Sequence, residues 1–316
     1  LEKEKGAPAL ILLRQGKSWR EEFNPLKPDA NFFYLTGNES EGGGLLLLAK
    51  AGEPARNEKR DLLFFPHCDR GGMQWTGFFL CAGEPDGKAD DPAQRALDES
   101  GAEVIHEEST LAATVIRMAK RQEIQTLYVA GEGTAPGEAF GPNEALVNDL
   151  RARLPGLAIK NALPLLTEMR LVKDEDELAK IRRACAITTA AHQRVARTLK
   201  PGMYEYELQG WLELEYKLKG ATGIAFPSIV GAGPNGVTLH YESNRSKMLD
   251  GQLVVVDIGS EFEHYASDLT RTYPVNGHFN ARQRQLYTWL YDAQAAAVKP
   301  ATPGSTAGEV ERVGHA

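Results

Sequence analysis

Residues 250–275 read DGQLVVVDIGSEFEHYASDLTRTYPV, and this stretch predicts a β-hairpin that carries two aspartates. An Asp-Gly turn precedes the branched apolar run 253–256, which is typical of a buried or half-buried strand and is followed by Asp257. Asp268 comes eleven residues later and opens a second strand-like run, residues 269–273. The polar segment between the two runs is long enough for the chain to turn back antiparallel. Two aspartates that face the same way on such a hairpin can reach one metal ion.

The aspartate pair by itself has two interpretations, because most aspartates at strand ends are solvated turn formers or caps. The upstream run 226–241, FPSIVGAGPNGVTLHY, favours metal binding. It contains a turn-rich loop followed by His240, which we predict to lie on a short strand. Two carboxylates and one imidazole supply the oxygen and nitrogen donors that a hydrolytic divalent-metal site uses.

The motifs IVGAGPN, LHY, DGQLVVVDIG and YASDLTRTYPVNG follow one another in this order within residues 222–280. In this region the chain resembles the creatinase/aminopeptidase (M24) family of metallopeptidases, and within it the Xaa-Pro aminopeptidases (aminopeptidase P), with prolidases close behind. Weaker similarity extends through residues 167–184 and to the segments NFFYLTG and QWTG near the N-terminus. The resemblance therefore covers most of the chain.

The resemblance implies an α+β protein with two domains. Residues 1–163 would form a ribonuclease-H-like α/β domain, and residues 164–316 would form the N-terminal part of a pita-bread domain. The residue pattern of the first domain agrees, because short apolar runs alternate with helical patterns, as in a mixed α/β layer. The predicted strands are residues 9–13, 45–49, 62–65, 126–130 and 157–159, and the predicted helices are residues 92–100, 109–121 and 142–154.

The resemblance also implies an activity: release of the N-terminal residue from peptides with proline in second position, with two divalent metal ions, expected to be Mn²⁺. Asp257 and Asp268 occupy the positions of metal ligands in the family. His240 would be a catalytic group that contacts the scissile carbonyl or moves a proton. The alternative for His240 is a strand histidine whose nitrogens bond to the backbone.

Two aromatic residues are candidates for substrate binding. Phe226 stands where the family carries aromatic residues along the substrate cleft, although core packing explains it equally well. Trp75 lies in the polar, glycine-rich stretch GGMQWTG, where it is either a surface aromatic under a loop or a contact to a ligand or partner subunit. In some members of the family a matching Trp approaches a neighbouring subunit's active site, but Phe78 and Phe79 replace the basic residues that follow it there.

The predicted site is incomplete in this chain. The family takes one more His and two Glu as ligands from strands well beyond Asp268, whereas this sequence ends at Ala316. Glu261, Glu263 and His264 do not replace them, because they belong to the connecting turn. We expect the chain to be a C-terminally truncated fragment of a working aminopeptidase. The alternative is a naturally incomplete member of the family that binds partners without hydrolysis.

Composition limits the partners and the compartment. The net charge of −7, without a patch of Lys and Arg, argues against a nucleic-acid surface. The early apolar run is too short for a signal or membrane segment, so we predict a cytoplasmic protein that does not bind membranes. The three cysteines are predicted to be free thiols, mostly buried. Proline-containing peptides are the expected partners, and the resemblance implies a homodimer or homotetramer.

Two helix predictions concern the second domain. A long helix after Asp174 should begin with a capping box formed with Glu177, and His192 should lie near its solvated face. A later helix from about residue 281, capped by Asn280, should turn Leu286, Trp289 and Leu290 inward.

The alternative functions are an Xaa-Pro dipeptidase (prolidase), a metal-free amidinohydrolase like creatinase and a catalytically inactive pita-bread binding module. The two aspartates argue against the creatinase-like activity.

Overall fold

The computed structural model describes residues 9–14, 29–39, 43–49, 61–88, 90–102, 104–121, 124–130 and 142–315. The chain divides into two compact units, Leu1–Val172 and Lys173–Ala316. The predicted boundary between residues 163 and 164 lies at the first residue of the helix Leu163–Leu171, whereas the division in the structure lies after this helix. This helix belongs to the first unit because its Leu166 is buried in the core of that unit.

The first unit is a layered α/β structure. Within the described residues its sheet has six strands in the order β4-β3-β2-β1-β5-β6, in which β1, β2 and β3 are antiparallel and β1, β5 and β6 are parallel. The elements are β1 Ala9–Arg14, α1 Ala30–Thr36, β2 Gly44–Ala49, β3 Asp61–Phe65, α2 Arg70–Thr76, α3 Pro92–Ser100, β4 Ile105–Glu107, α4 Leu111–Lys120, β5 Thr126–Val129, α5 Pro142–Arg153, β6 Ala158–Asn161 and α6 Leu163–Leu171.

Both faces of this sheet are covered, which explains why residues 9–13 of strand β1 are all apolar. Ile11 and Leu13 pack into a cluster with residues of α1, α3 and α6, whereas Leu12 packs into a second cluster with residues of α4 and α5. A strand that is buried on both faces reads as a continuous hydrophobic run rather than an alternating one. The predicted α/β layer is therefore confirmed, and it fits the expected ribonuclease-H-like class.

The prediction of three free, mostly buried cysteines is wrong. Cys68 and Cys81 form a disulfide with a Cα–Cα distance of 4.8 Å, and Cys185 is free and exposed. The backbone brings the pair together, because the Cys68 amide donates to the Ala82 carbonyl and the Ala82 amide donates to the Pro66 carbonyl. Spacing along the sequence contains no sign of this pairing, which depends on how the chain returns after α2.

The second unit places two long helices against antiparallel strands. Its two sheets have the orders β12-β9-β8 and β11-β10-β7, counted over the described part of the chain. The α+β fold class is thus confirmed. The elements are α7 Glu175–Thr198, α8 Glu205–Leu218, β7 Gly223–Ile224, β8 Ile229–Ala232, a 3-10 helix Gly233–Val237, β9 Leu253–Ile258, β10 Ser260–Phe262, β11 Tyr265–Ala266, β12 Leu269–Pro274, α9 Ala281–Val298 and α10 Ala307–His315.

Helices α7 and α8 pack on one face of the sheet formed by β8, β9 and β12. The predicted capping box is present, since the Asp174 side chain accepts from the Glu177 amide and the Glu177 side chain accepts from the Asp174 amide. The shared core contains Ala191 of α7, Leu212 of α8 and Val256 of β9. Burial of these side chains leaves the opposite face of the sheet available for polar groups.

Helix α9 begins as predicted, because the Asn280 side chain accepts from the Gln283 amide. The predicted inward orientation is wrong for the described residues, because Leu286, Trp289 and Leu290 are all exposed. Among the helices that the structure describes, none combines the length and the apolar composition that crossing a bilayer requires.

Candidate metal centre

Strands β9 and β12 form the hairpin that the sequence predicts, with Asp257 directly opposite Thr270. Burial alternates along β9, so that Val254, Val256 and Ile258 face the helices while Asp257 belongs to the other face. Neighbouring residues opposite each other on paired strands share a face, and side chains two residues apart on one strand do the same. Asp257 and Thr270 consequently lie on the face turned away from the helices, and Asp268, which directly precedes β12, interacts with Asp257.

The two carboxylates interact closely. Burial raises the pKa of Asp268, and the negative charge of Asp257 and a hydrogen bond between the two side chains raise this pKa further. The Thr270 hydroxyl donates to Asp257 Oδ1 at 2.6 Å and fixes the orientation of that carboxyl group. Two carboxylates that repel each other are stabilised when a cation binds between them.

The donor chemistry of this pair fits a divalent cation, because paired carboxylate oxygens are the ligands that hard cations prefer. The pair supplies only part of a coordination shell. Within the described residues, no group of three or more His, Cys, Asp or Glu side chains is arranged to hold a metal ion. Asp257 and Asp268 could therefore supply two of the ligands that such an ion would need.

Three buried hydroxyl groups lie beneath the hairpin and link it to α7. Thr188 Oγ1 lies 3.0 Å from Ser260 Oγ and 2.8 Å from Ser267 Oγ, and it accepts from the Ser260 amide at 2.9 Å. Ser260 Oγ also donates to the Ala184 carbonyl on α7. Because Ser267 directly precedes Asp268, this cluster holds the backbone from which the second carboxylate projects. The sequence did not predict the role of these residues, because they resemble ordinary surface polar residues in a helix and a turn.

Replacing Thr188 with valine should lower the free energy of unfolding by about 1–3 kcal/mol, because the Ser260 amide and two buried hydroxyls lose a partner while side-chain volume is kept. The matched control is Thr189→Val, on the neighbouring exposed position, where the hydroxyl bonds only to its own helix. Urea unfolding of the two variants measures the difference. Equal stability of both variants would show that the hydroxyl cluster contributes nothing.

His192 lies beneath strand β12, and the prediction of a solvated position is wrong. It is 5% exposed. Its Nε2 lies 2.9 Å from the Leu269 carbonyl oxygen, which can only accept, so Nε2 carries the proton and Nδ1 accepts from the Tyr273 hydroxyl at 3.0 Å. Burial also raises the pKa of Tyr273 to about 12, so this hydroxyl stays protonated as a donor. The buried face of α7 is wider than the apolar pattern indicates, because it includes polar residues such as Thr188 and His192.

Burial lowers the pKa of His192, although its bond to the Leu269 carbonyl opposes this. The unfolded chain, with the ordinary histidine pKa of about 6.5, therefore binds more protons than the folded protein as the pH falls. We expect the free energy of unfolding to decrease below about pH 6.5, by at most about 1.4 kcal/mol per pH unit from this residue.

Urea unfolding at pH 7.5 and 5.5 tests this expectation with the variant His192→Gln, which cannot be protonated. The difference in stability between the two pH values should be smaller in His192→Gln than in the wild type. The control His278→Gln changes an exposed histidine and should keep the wild-type difference. A His192→Gln variant with the full wild-type pH dependence would contradict the assignment.

The prediction that His240 lies on a short strand is wrong. His240 lies in an exposed turn that follows the 3-10 helix Gly233–Val237. The exposed imidazole can contact a ligand, whereas a strand histidine satisfied by backbone groups could not.

The remaining candidates have different surroundings. Phe226 is half-buried and packs near Gly259, since a Cβ at Gly259 would meet its ring at 2.7 Å. Trp75 lies near the end of α2 in the first unit and is 90% exposed. Glu263 and His264 form the tip of the turn between β10 and β11, both with positive φ, as predicted for the connecting turn. The same prediction is wrong for Glu261, which lies in strand β10 and pairs with β7 and β11.

The fold of the second unit and a family match point to the same class of protein. An antiparallel sheet with two helices on one face and a carboxylate pair on the other occupies the second unit, and residues 179–316 match metallopeptidase family M24. The second unit is thus similar to metallopeptidase family M24.

Known proteins with similar sequences and structures are aminopeptidases. The chain is 31% identical to the Xaa-Pro aminopeptidase of Escherichia coli K12 over 303 residues, which cover 92% of this chain and 63% of that protein. It is 30% identical to the Xaa-Pro aminopeptidase of Haemophilus influenzae over 282 residues, covering 89% of this chain and 60% of that protein. The solved structure of proline aminopeptidase P II from Yersinia pestis aligns with a TM-score of 0.82 and 28% identity, covering 98% of this chain and 69% of that chain.

The chain thus spans less than two thirds of the length of the two curated relatives described above. The similarity includes both units, because it extends over about nine tenths of this chain.

Proposed function

We propose that the full-length protein is a metal-dependent aminopeptidase that releases the N-terminal residue from peptides with proline in second position. The observation that carries the proposal is the pair of interacting carboxylates, Asp257 and Asp268, on one face of an M24-family domain. The Xaa-Pro aminopeptidases with similar sequences support the choice of reaction.

Asp257 and Asp268 would bind the metal, which we propose to be a pair of divalent ions such as Mn²⁺. Ions of this kind lower the pKa of bound water and stabilise negative charge on a carbonyl oxygen. Thr270 keeps the Asp257 carboxyl in one orientation, so that less ordering is needed when a ligand binds. His240 would donate a hydrogen bond to the scissile carbonyl or move a proton, for which its exposed position in a turn is suitable.

Phe226 and Trp75 are the proposed substrate-binding residues. Phe226 is half-buried beside the hairpin and would contact the proline ring of the substrate. The exposed indole of Trp75 would contact substrate bound to another copy of the chain, in a homodimer or homotetramer. We propose a cytoplasmic location for this assembly.

A peptide-release assay tests the proposed activity. The full-length gene product is incubated with Arg-Pro-Pro or with Gly-Pro, each with and without added Mn²⁺. The proposal expects release of arginine from Arg-Pro-Pro, increased by Mn²⁺. Preferential cleavage of Gly-Pro would instead identify a prolidase. Cleavage of neither peptide would reject both peptidase functions and favour the binding module.

A further inference from the structure

Glu205 is a buried carboxylate on helix α8 that has no role in the proposed metal centre. It lies in the first turn of the helix and is 0% exposed. A buried carboxylate needs several donors, because losing water is costly for a charged group. The donors that bond to Glu205 all come from the segment 232–246, which also carries His240.

Four hydrogen bonds satisfy the two oxygens of Glu205. Oε1 accepts from the Ala232 amide at 2.9 Å and from Asn235 Nδ2 at 3.0 Å. Oε2 accepts from the Tyr241 hydroxyl and from the Ser246 amide, both at 2.8 Å. One rigid helical side chain thus reaches four points along the segment 232–246.

These contacts lie on both sides of His240 in the sequence. Asn235 belongs to the 3-10 helix before it, and Tyr241 directly follows it. Asn235 Nδ2 also lies 3.0 Å from the Tyr241 hydroxyl oxygen, so the two arms of the turn are joined to each other as well as to Glu205. His240 itself is exposed. Its position is therefore determined by the bonds of its neighbours.

A second anchor keeps the surrounding fold in place without Glu205. Asn244 Oδ1 accepts from the Val230 amide at 3.0 Å, and Asn244 Nδ2 donates to the Ser228 carbonyl at 2.7 Å. These bonds attach residue 244 to strand β8 and to Ser228, the residue directly before this strand. Loss of the Glu205 carboxylate should consequently loosen the turn and leave the sheet folded.

We propose that Glu205 is a positioning residue for catalysis, which holds the turn carrying His240 in the orientation that the reaction needs. This inference rests on the proposed aminopeptidase function. The chemistry requires a carboxylate, because only a group with two acceptor oxygens can accept four hydrogen bonds at once. Glutamine has the same size, but its NH₂ group would replace one acceptor oxygen and would face two hydrogen-bond donors. One of these donors is a backbone amide, which cannot act as an acceptor instead.

Hydrogen–deuterium exchange of the full-length gene product tests the positioning role without any need for activity. In Glu205→Gln, amides of residues 232–246 should exchange about ten-fold faster or more, because hydrogen bonds to charged groups contribute roughly 1.5–3 kcal/mol. Amides of β9 and β12 should be unchanged. The matched control is Glu207→Gln on the exposed side of the same helix turn, where the amide oxygen can still cap the Tyr204 amide. Unchanged exchange in residues 232–246 would overturn the proposal.

Kinetics separates positioning from general stability. With Arg-Pro-Pro, Glu205→Gln should reduce kcat by about 100-fold, the scale expected for a misplaced catalytic group, and should leave bound Mn²⁺ unchanged. In a His240→Ala background the same substitution should reduce kcat no further, because its effect acts through His240. An equal loss in both backgrounds would overturn the proposal.

A milder variant decides the question if Glu205→Gln does not fold. Tyr241→Phe removes one donor next to His240 and keeps the carboxylate and the aromatic ring. It should also accelerate exchange in residues 232–246 and lower kcat, and wild-type values for both would reject the proposal. If the wild-type protein cleaves no peptide, the proposed aminopeptidase function fails, while exchange still reports whether Glu205 holds the turn.

Discussion

Replacing Gly259 with alanine should destabilise the second unit by about 3 kcal/mol or more, the upper range for overpacking a buried site. A Cβ at this position would lie 2.0 Å from the Ser267 carbonyl oxygen, 2.7 Å from the Phe226 ring and 3.1 Å from Ala225 Cβ. The first of these is a backbone atom of the partner strand segment, so it cannot move without shifting Asp268.

The position of Gly259 explains why its effect should reach the metal centre. It lies between Asp257 on β9 and Ser260 of the buried hydroxyl cluster. At this position the backbone packs directly against the Ser267 carbonyl oxygen. Separating these segments would break the bonds between Ser260 and Ser267 and would move the two carboxylates apart. We therefore expect weaker Mn²⁺ binding together with the loss of stability.

Urea unfolding measures the change, and Gly210→Ala provides the control. Gly210 lies on an exposed part of α8, and a Cβ there would meet no atom within 4 Å. Alanine should stabilise that helix position by up to about 1 kcal/mol. If Gly259→Ala were as stable as Gly210→Ala, the close approach of residues 259 and 267 would not exist in the protein.

Asp257→Asn should lower the affinity of the full-length protein for Mn²⁺ by about 100-fold or more, beyond the 10- to 100-fold typical for groups that only support a ligand. The substitution removes a negative charge while keeping an oxygen that can accept the Thr270 bond. Stability of the metal-free protein should change little, because a repulsive interaction with Asp268 is removed at the same time.

Isothermal titration with Mn²⁺ measures this affinity, and metal analysis of the purified protein gives the occupancy. The control Asp250→Asn removes a carboxylate from an exposed turn, where it accepts a bond from Asn276. That control should bind Mn²⁺ as the wild type does. Unchanged binding in Asp257→Asn would remove Asp257 from the metal centre.

The sequence by itself determined the elements that depend on short-range patterns. The branched apolar run before Asp257 and the antiparallel return after Asp268 specified a hairpin, and alternation along β9 set the face on which Asp257 lies. The capping residues Asp174 and Asn280 marked the starts of α7 and α9. These features were predictable because strand periodicity and helix capping involve residues close together in the chain.

Only the tertiary structure decided which polar residues support the site. Thr188 bonds to Ser260, His192 to the Leu269 carbonyl, and Glu205 to the turn around His240. Each of these contacts joins residues far apart in sequence, so neither composition nor periodicity reveals it. The same holds for the disulfide of the first unit. A buried polar residue is recognisable only when its partner is known, because its burial is favourable only with that partner present.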